Sequence, residues 1–424
     1  MTHYALVGPA FPSHFRALQA IAQRLVARGH RATFFHQADA AALLEPGAVA
    51  FHAVGDPARQ AGTVRAMLAR AANPGGPLGL KRVIGDVSLT TQMLCEALPE
   101  AFVHAGVEAV ICDQMEAAGA LVAQALGLPF VSVACALPIN REPGIPLPVM
   151  PWQYATEPSA LHLYRSSQQV YDMLMRPLDR TIAAQAARLG LGARGGLHDC
   201  LSPLALISQT VERFDFPRQQ PPPHFHHVGP LRPAAEDPPL ALPLADGRKV
   251  VFASLGTLQG HRLALFKRIA RACRGLKVQL VIAHCGGLSP ERARALEVPG
   301  EVMVVHSVPQ RAMLARADAV VTHAGLNTAL DACVAGVPML ALPIAFDQPG
   351  VAARIVHAGA GLRLSARWCT ARQIAQALAA LLDRPAYAAA AREIGVQIGQ
   401  AGGSERAADI IQAATARSPS AVPA

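Results

Sequence analysis

A strand, a glycine-bearing turn, a helix and a second strand follow one another across residues 319–342, and few folds accept that order. Ala319-Val320-Val321 is an apolar run suited to a buried parallel strand. It ends at His323, and Gly325 follows in a turn of small residues. Asn327 and Thr328 open an apolar segment that closes at Gly336-Val337-Pro338, a helix stop. Residues 339–342 supply the next strand, completing one βαβ unit. The same order appears at the N-terminus. Residues 4–7 are a short apolar strand and residues 8–14 a loop. A helix follows with Leu18, Ile21, Ala22 and Leu25 on one face and Gly29 as its stop, and residues 31–35 resume as a strand. It returns once more at 250–253, 255–257, 263–273 and 278–283. The repetition predicts two doubly wound α/β domains of similar build rather than one large sheet.

Between the copies, strands are expected at 51–54, 107–112, 130–134 and 204–208, and helices at 59–72, 79–104, 116–126 and 160–189. Residues 141–151 hold four prolines ahead of Trp152 and Tyr154, the composition of a lid or binding wall. These signals divide the chain into an N-terminal domain (1–220), a proline-rich linker (221–244) and a C-terminal domain (245–390). A last helix (391–416), bent at Gly402-Gly403, is expected to pack back on the first domain. A frayed tail (417–424) ends the chain.

With 424 residues, 52% of them hydrophobic and 16% charged, the chain has material for two cores, and wholesale disorder is excluded. The net charge of +9 suits anionic partners. Nucleic acid is not among those expected: aromatics are 5% and no finger, RNP or basic-helix pattern occurs. Eight dispersed cysteines without a C-x-x-C pair, and no signal peptide, read as a reduced cytoplasmic protein. The uncharged stretch 119–139 is broken by Gly127-Leu128-Pro129 into helix and strand, so it reads as soluble core.

The helix after His323 starts where backbone N–H groups lack partners, and the small residues there let an anion approach. A diphosphate would gain those hydrogen bonds and the positive end of the helix dipole. His323 and Thr328 add side-chain donors at the same end. Asp347-Gln348 falls just past the next strand, on the edge where ligands bind open α/β sheets. Together, Pro309-Gln310, the core His323-Ala-Gly325-x-Asn327-Thr328, Asp331 and Asp347-Gln348 resemble the donor signature of UDP-dependent glycosyltransferases with the GT-B fold. An ordered set over roughly fifty residues is specific where a lone glycine-rich loop is not.

Several residues acquire roles through that resemblance. Spacing alone favours a surface-loop histidine at His14, although a histidine there can also serve as general base. Asp113 ends the 107–112 strand on the same sheet edge, where an aspartate either orients that histidine or caps the next helix. Similar enzymes pair a first-loop His with an Asp at this later strand end, and His14 and Asp113 match both. In those enzymes the loop at Gly256 and Thr257 lies against the nucleotide phosphates. Many carry a base-stacking aromatic two positions before Pro309. Here it is Ser307, which leaves the base to the backbone around Val308 and Gln310. Asp331 matches an acidic residue that holds ribose hydroxyls; from spacing it is equally a solvent-facing helix aspartate. Asp347-Gln348 matches the pair that binds sugar hydroxyls, chemistry that two planar polar groups suit, with helix capping before Pro349 as the plainer reading of Asp347.

No metal or cofactor is expected. His224-Phe-His226-His227 lies in the linker without other ligands at suitable spacing, and no Asp-x-Asp occurs. Three further stretches resemble the carotenoid-glucosylating members of the family. They are Asp113-Gln-Met-Glu-Ala-Ala-Gly, Ser132-Val-Ala-Cys-Ala-Leu-Pro-Ile-Asn-Arg-Glu-Pro and Ala253-Ser-Leu-Gly-Thr-Leu-Gln-Gly-His-Arg. That resemblance implies inverting transfer of glucose from UDP-glucose to a hydroxyl of a lipophilic carotenoid, with peripheral contact at the inner face of an anionic membrane. Arg65, Arg70, Lys81 and Arg82 are the cations that could face anionic lipid, with a solvated helix face the commoner explanation for such charges. A transferase for another lipophilic acceptor (macrolide, flavonoid or sterol) and a nucleotide-sugar-binding protein without transfer remain as alternatives.

Overall fold

A computed structural model describes residues 1–233, 238–245 and 247–416. The first sheet contains β1 (His3–Val7), β2 (Arg31–His36), β3 (Ala50–Ala53), β4 (Ala109–Asp113), β5 (Phe130–Ala134), β6 (Leu206–Ser208) and β7 (Phe225–His227). Its order is β3-β2-β1-β4-β5-β6-β7, all parallel. The second contains β8 (Val250–Ser254), β9 (Gln279–Ala283), β10 (Val302–Val305), β11 (Ala319–Thr322), β12 (Met339–Ala341) and β13 (Gly361–Arg363). It runs β10-β9-β8-β11-β12-β13, again all parallel. The strand order therefore reverses beside β1 in one sheet and beside β8 in the other. Those are the switch points where a ligand crevice opens beyond the carboxyl ends of the strands. The twin doubly wound units expected from the repeated pattern are both present.

Helices cover each sheet on both faces, which explains why β1, β4, β5, β8 and β9 are buried along their whole length. The longest are Pro77–Ala105 and Pro158–Arg188, which pack against each other on the first sheet. β7 lies inside the stretch expected to be linker. Prolines on either side and two histidines within hid a strand too short to show a period. The chain therefore leaves the first sheet only after His227. The terminal segment is two helices, Pro385–Ala401 and Gly403–Ala416, rather than one bent helix; the break falls at Gly402, whose φ of +87° is glycine territory. The second helix returns to the first domain. Ala407, Ala408, Ile410 and Ile411 join the core under the helix Pro12–Ala27, while Arg24 and Arg28 pair with Glu405 and Asp409. The expected tail, 417–424, lies outside the described residues.

The halves are joined by apolar packing and by buried charge. Leu137, Val211 and Phe214 from the first half enter the core of the second. Arg354, fully buried on the helix Gln348–His357, donates to Asp215 at 2.6 Å, and Asp215 also accepts from Arg218 at 2.9 Å. Arg218 continues to Glu142 in the proline-rich loop. Burial alone would raise the Asp215 pKa, but the two guanidinium groups outweigh it and bring the carboxyl down to about 2.

Candidate active site

Pro12 starts the first helix two residues before His14, so His14 sits in the helix's first turn rather than in the expected loop. Parallel pairing sets Val7 beside Cys112, which carries Asp113, the last residue of β4, toward that turn. Gly8 makes the approach possible, because a Cβ there would lie 3.0 Å from the Asp113 Cβ. His14 Nδ1 and Asp113 Oδ2 are 2.7 Å apart, with the carboxylate fully buried. Asp113 Oδ1 accepts the Met115 N–H at 2.8 Å. The helix that follows is capped by Glu116 instead, so capping does not account for Asp113. With Nδ1–H donated to Asp113, the lone pair of His14 is left on Nε2. Burial alone would lower the His14 pKa; the charge and hydrogen bond of Asp113, helped by Asp347, raise it above 6.5.

Asp347 reaches this place from the other half of the molecule. It precedes the helix Gln348–His357 but makes no side-chain cap; its Oδ2 instead accepts the Leu137 N–H across the cleft at 3.2 Å. Burial raises the Asp347 pKa. Gln348 turns its carbonyl back onto the Ile344 and Ala345 N–H groups, both at 2.9 Å, and so shapes the loop that presents Asp347. Phe346 in that loop holds a φ of +56°, and its ring meets Phe11 edge-on at 6.1 Å. Ala324, beside His323, has a φ of +64°. Left-handed non-glycine residues cost about 1–2 kcal/mol each, so both loops are held by their surroundings.

His323 is packed between glycines. A Cβ on Gly256 would lie 2.7 Å from its Cε1 and one on Gly325 2.6 Å from its Nε2. Gly256 also has a φ of +72°, doubly excluding a side chain, while its neighbour Thr257 is exposed. Burial, only partly offset by the Ser254 backbone, brings the His323 pKa down to about 4, so the ring is neutral. Its Nδ1 is buried without a hydrogen-bond partner among the described residues. The helix Leu326–Val334 begins immediately after, its N-cap Gly325 providing no side-chain cap and leaving first-turn N–H groups facing the cleft.

The remaining signature residues are tied together. Thr328 Oγ1 donates to Gln310 Oε1 at 3.1 Å, and Gln310 Nε2 donates to Asp331 Oδ2 at 2.7 Å. Thr328 thus gives its proton to Gln310 rather than to the cleft. Asp331 is buried, which removes the solvent-facing alternative. Its Oδ1 is taken by Arg232, through Nε at 3.1 Å and Nη2 at 2.9 Å. Arg232 also donates to the Asn327 side chain at 3.2 Å and backbone at 3.1 Å. Val308 packs on the core of the second half, and Ser307 is exposed.

Among the described residues one group could supply three metal ligands: His14, Asp113 and Cys135, with one atom from each within 4.8 Å of the others. Burial, then the Asp113 charge, push the Cys135 thiol well up, so it stays protonated. His226 and His227 are on β7; His227 Nδ1 lies 3.0 Å from Thr210 Oγ1.

The His14–Asp113 pair of the first half thus lies beside Asp347 of the second, whose sheet also carries the glycine-packed His323 and the helix start that follows it. The family model for UDP-glucoronosyl and UDP-glucosyl transferases matches residues 4–395 of this chain. The chain belongs to that family. It is 48% identical to a zeaxanthin glucosyltransferase of Pantoea ananas, over 97% of this chain and 96% of that one. It is 45% identical to a zeaxanthin glucosyltransferase of Pseudescherichia vulneris, over 99% of this chain and all of the other. Solved structures of the kitacinnamycin glycotransferase and the calicheamicin glycosyltransferase CalG4 share the fold. Each has a TM-score of 0.77 at 20% identity, covering 97% and 98% of this chain and 99% of theirs.

For this glycosyltransferase, motif reading passed over Arg232, Leu137 and Cys135. Arg232 lies among prolines and leucines in Pro230-Leu-Arg-Pro, where an isolated charge was the one available signal that the segment is held to something. Leu137 acts through its backbone, which no side-chain motif records.

Proposed function

We propose that this glycosyltransferase moves glucose from UDP-glucose to a hydroxyl of zeaxanthin, inverting the anomeric centre and needing no metal. The observation that carries the reading is the 2.7 Å pair of His14 and Asp113, set beside Asp347 from the donor half. His14 Nε2 takes the proton of the acceptor hydroxyl as that oxygen bonds to the anomeric carbon. The carbon–oxygen bond to UDP breaks, and the electron pair leaves with the diphosphate. Asp113 stabilises the imidazolium that forms. First-turn N–H groups of Leu326–Val334, with neutral His323 beside them, receive the growing diphosphate charge. Arg232 and Gln310 fix Asp331 for the ribose, and Asp347 with Gln348 borders the sugar. An α-linked donor then yields a β-glucoside.

Support for zeaxanthin comes from two relatives of that name, matched at 48% and 45% over nearly their full length. No helix of the described residues is long and apolar enough to cross a membrane, and we place the enzyme at the cytoplasmic face. Incubation with UDP-glucose and zeaxanthin in detergent, followed by chromatography and NMR of the products, tests this. β-Mono- and diglucosides are expected, unaffected by EDTA. An α-glucoside, or transfer to macrolides, flavonoids or sterols but not to zeaxanthin, would contradict it.

A further inference from the structure

The two longest helices are much longer than the sheet they cover. At 29 and 31 residues they extend roughly 43 and 46 Å, while a five-residue strand spans about 17 Å. Both run back toward the amino edge of the sheet: Pro77–Ala105 leads directly into β4, and just after Pro158–Arg188 the Arg194 side chain donates to Gln124, near the end of the helix Ala117–Ala125 that leads into β5. A 2.6 Å bond from Arg188 to the Cys95 carbonyl ties the second half of one to the end of the other. Their first halves therefore project past the carboxyl edge, where His14 and Asp113 sit.

Those projecting halves carry unusual side chains. Of thirteen large apolar residues exposed among the described residues, seven lie there: Leu78, Leu80, Leu89, Leu163, Val170, Met173 and Leu174. Leu163, Val170 and Leu174 share one helix face by spacing. Met173 stands between that face and the side of the same helix that bears Arg165 and, beyond its midpoint, Arg176 and Arg180, while Lys81 and Arg82 share a side of the other helix with Leu78 and Leu89; all five cations are exposed. Of the nearby acids, Glu157 at the start of the second helix is exposed, while Asp179 is half-buried, Arg141 holds Asp172 and Arg70 holds Asp86. Arg70 is thereby removed from the set of lipid-facing cations. Trp152 in the proline-rich loop donates to Ser167 at 3.3 Å, which links this surface to the loop expected to wall the acceptor site.

We infer that this apolar, basic face docks on an anionic lipid surface and receives the acceptor from it. Charge complementarity selects that occupant, since a second copy of the chain would oppose the same five cations. The inference rests on the lipophilic-acceptor reading above. Sedimentation with vesicles of equal phosphatidylcholine and phosphatidylglycerol, against phosphatidylcholine alone, tests the face without any substrate. Wild-type protein should sediment with the anionic vesicles and be released by high salt. Arg165→Gln with Arg176→Gln should lower partitioning about thirtyfold, and Met173→Glu with Leu174→Glu by more. Each double variant should glucosylate detergent-dispersed zeaxanthin like wild type, while turnover on zeaxanthin in anionic vesicles drops at least tenfold. Wild-type protein that ignores anionic vesicles, or variants that bind them equally, would overturn the docking face. So would a solution dimer abolished by Met173→Glu with Leu174→Glu. Failure with zeaxanthin in detergent would count against the acceptor reading instead.

Discussion

Replacing Asp113 with Asn separates the orientation of His14 from its presence. The amide is isosteric, so the close approach permitted by Gly8 survives and folding should be unchanged. The hydrogen-bond pattern is not conserved. Asp113 now accepts twice, from Met115 N–H and from His14 Nδ1–H. An Asn that keeps its carbonyl toward Met115 points an N–H at Nδ1, forcing the proton onto Nε2, where the base must be empty. The carboxylate charge beside the developing imidazolium is lost as well. At an effective dielectric near 20 and about 4 Å, that attraction is about 4 kcal/mol, or roughly a thousandfold in rate. Turnover in Asp113→Asn should therefore drop by about 10²–10⁴, with UDP affinity within about threefold by calorimetry. The pH profile carries its own sign. Activity requires unprotonated His14, whose pKa is raised in the wild type, so the acid limb of kcat/KM lies above 6.5. Removing the charge that raises it must move that limb to lower pH. A variant within tenfold of wild type, with an unmoved acid limb, would refute the reasoning.

Other perturbations reach the donor half and the join. Gly256→Ala sets a methyl 2.7 Å from His323 at a φ of +72°, and should weaken UDP binding about tenfold or more; unchanged affinity would contradict the packing role. Arg232→Ala frees Asp331 and Asn327 and should raise the KM for UDP-glucose about 10–100-fold with kcat nearly constant. Lys recovers little of this, because one ammonium cannot serve both partners. An unchanged KM would dismiss the Arg232 bridge. Asp215, depressed to about 2, stabilises the fold fully above its unfolded pKa near 3.8, and this is lost as pH falls through about 2. That linkage is worth about 2 kcal/mol. Asp215→Asn should cost about 3–5 kcal/mol at neutral pH, because it strands buried Arg354; a denaturation midpoint equal to wild type would rule this out.

Much of the architecture was legible because parallel strands buried on both faces become near-continuous apolar runs, as 109–112, 319–321 and, with Ser132 its one polar residue, 130–134 do. β7 was not: three residues with two histidines, between prolines, carry no period. Residues placed by backbone geometry at strand ends, such as Asp113 and His323, could be found from motif order, since the fold brings carboxyl edges together. Contacts made across the cleft could not. Asp347 and Leu137 lie 210 residues apart, and nothing local at either position encodes the other. Arg232 is the same case: its partners, 95 and 99 residues on, are fixed by how the connecting segment crosses the second sheet.

The central claim is that chemistry belongs to the first half and donor binding to the second. His14→Ala tests it when single-turnover rate and UDP affinity are measured on the same preparation. The rate should drop by about 10²–10⁴ while the dissociation constant for UDP stays within about threefold. An undiminished rate, or UDP binding lost in parallel with it, would contradict the account.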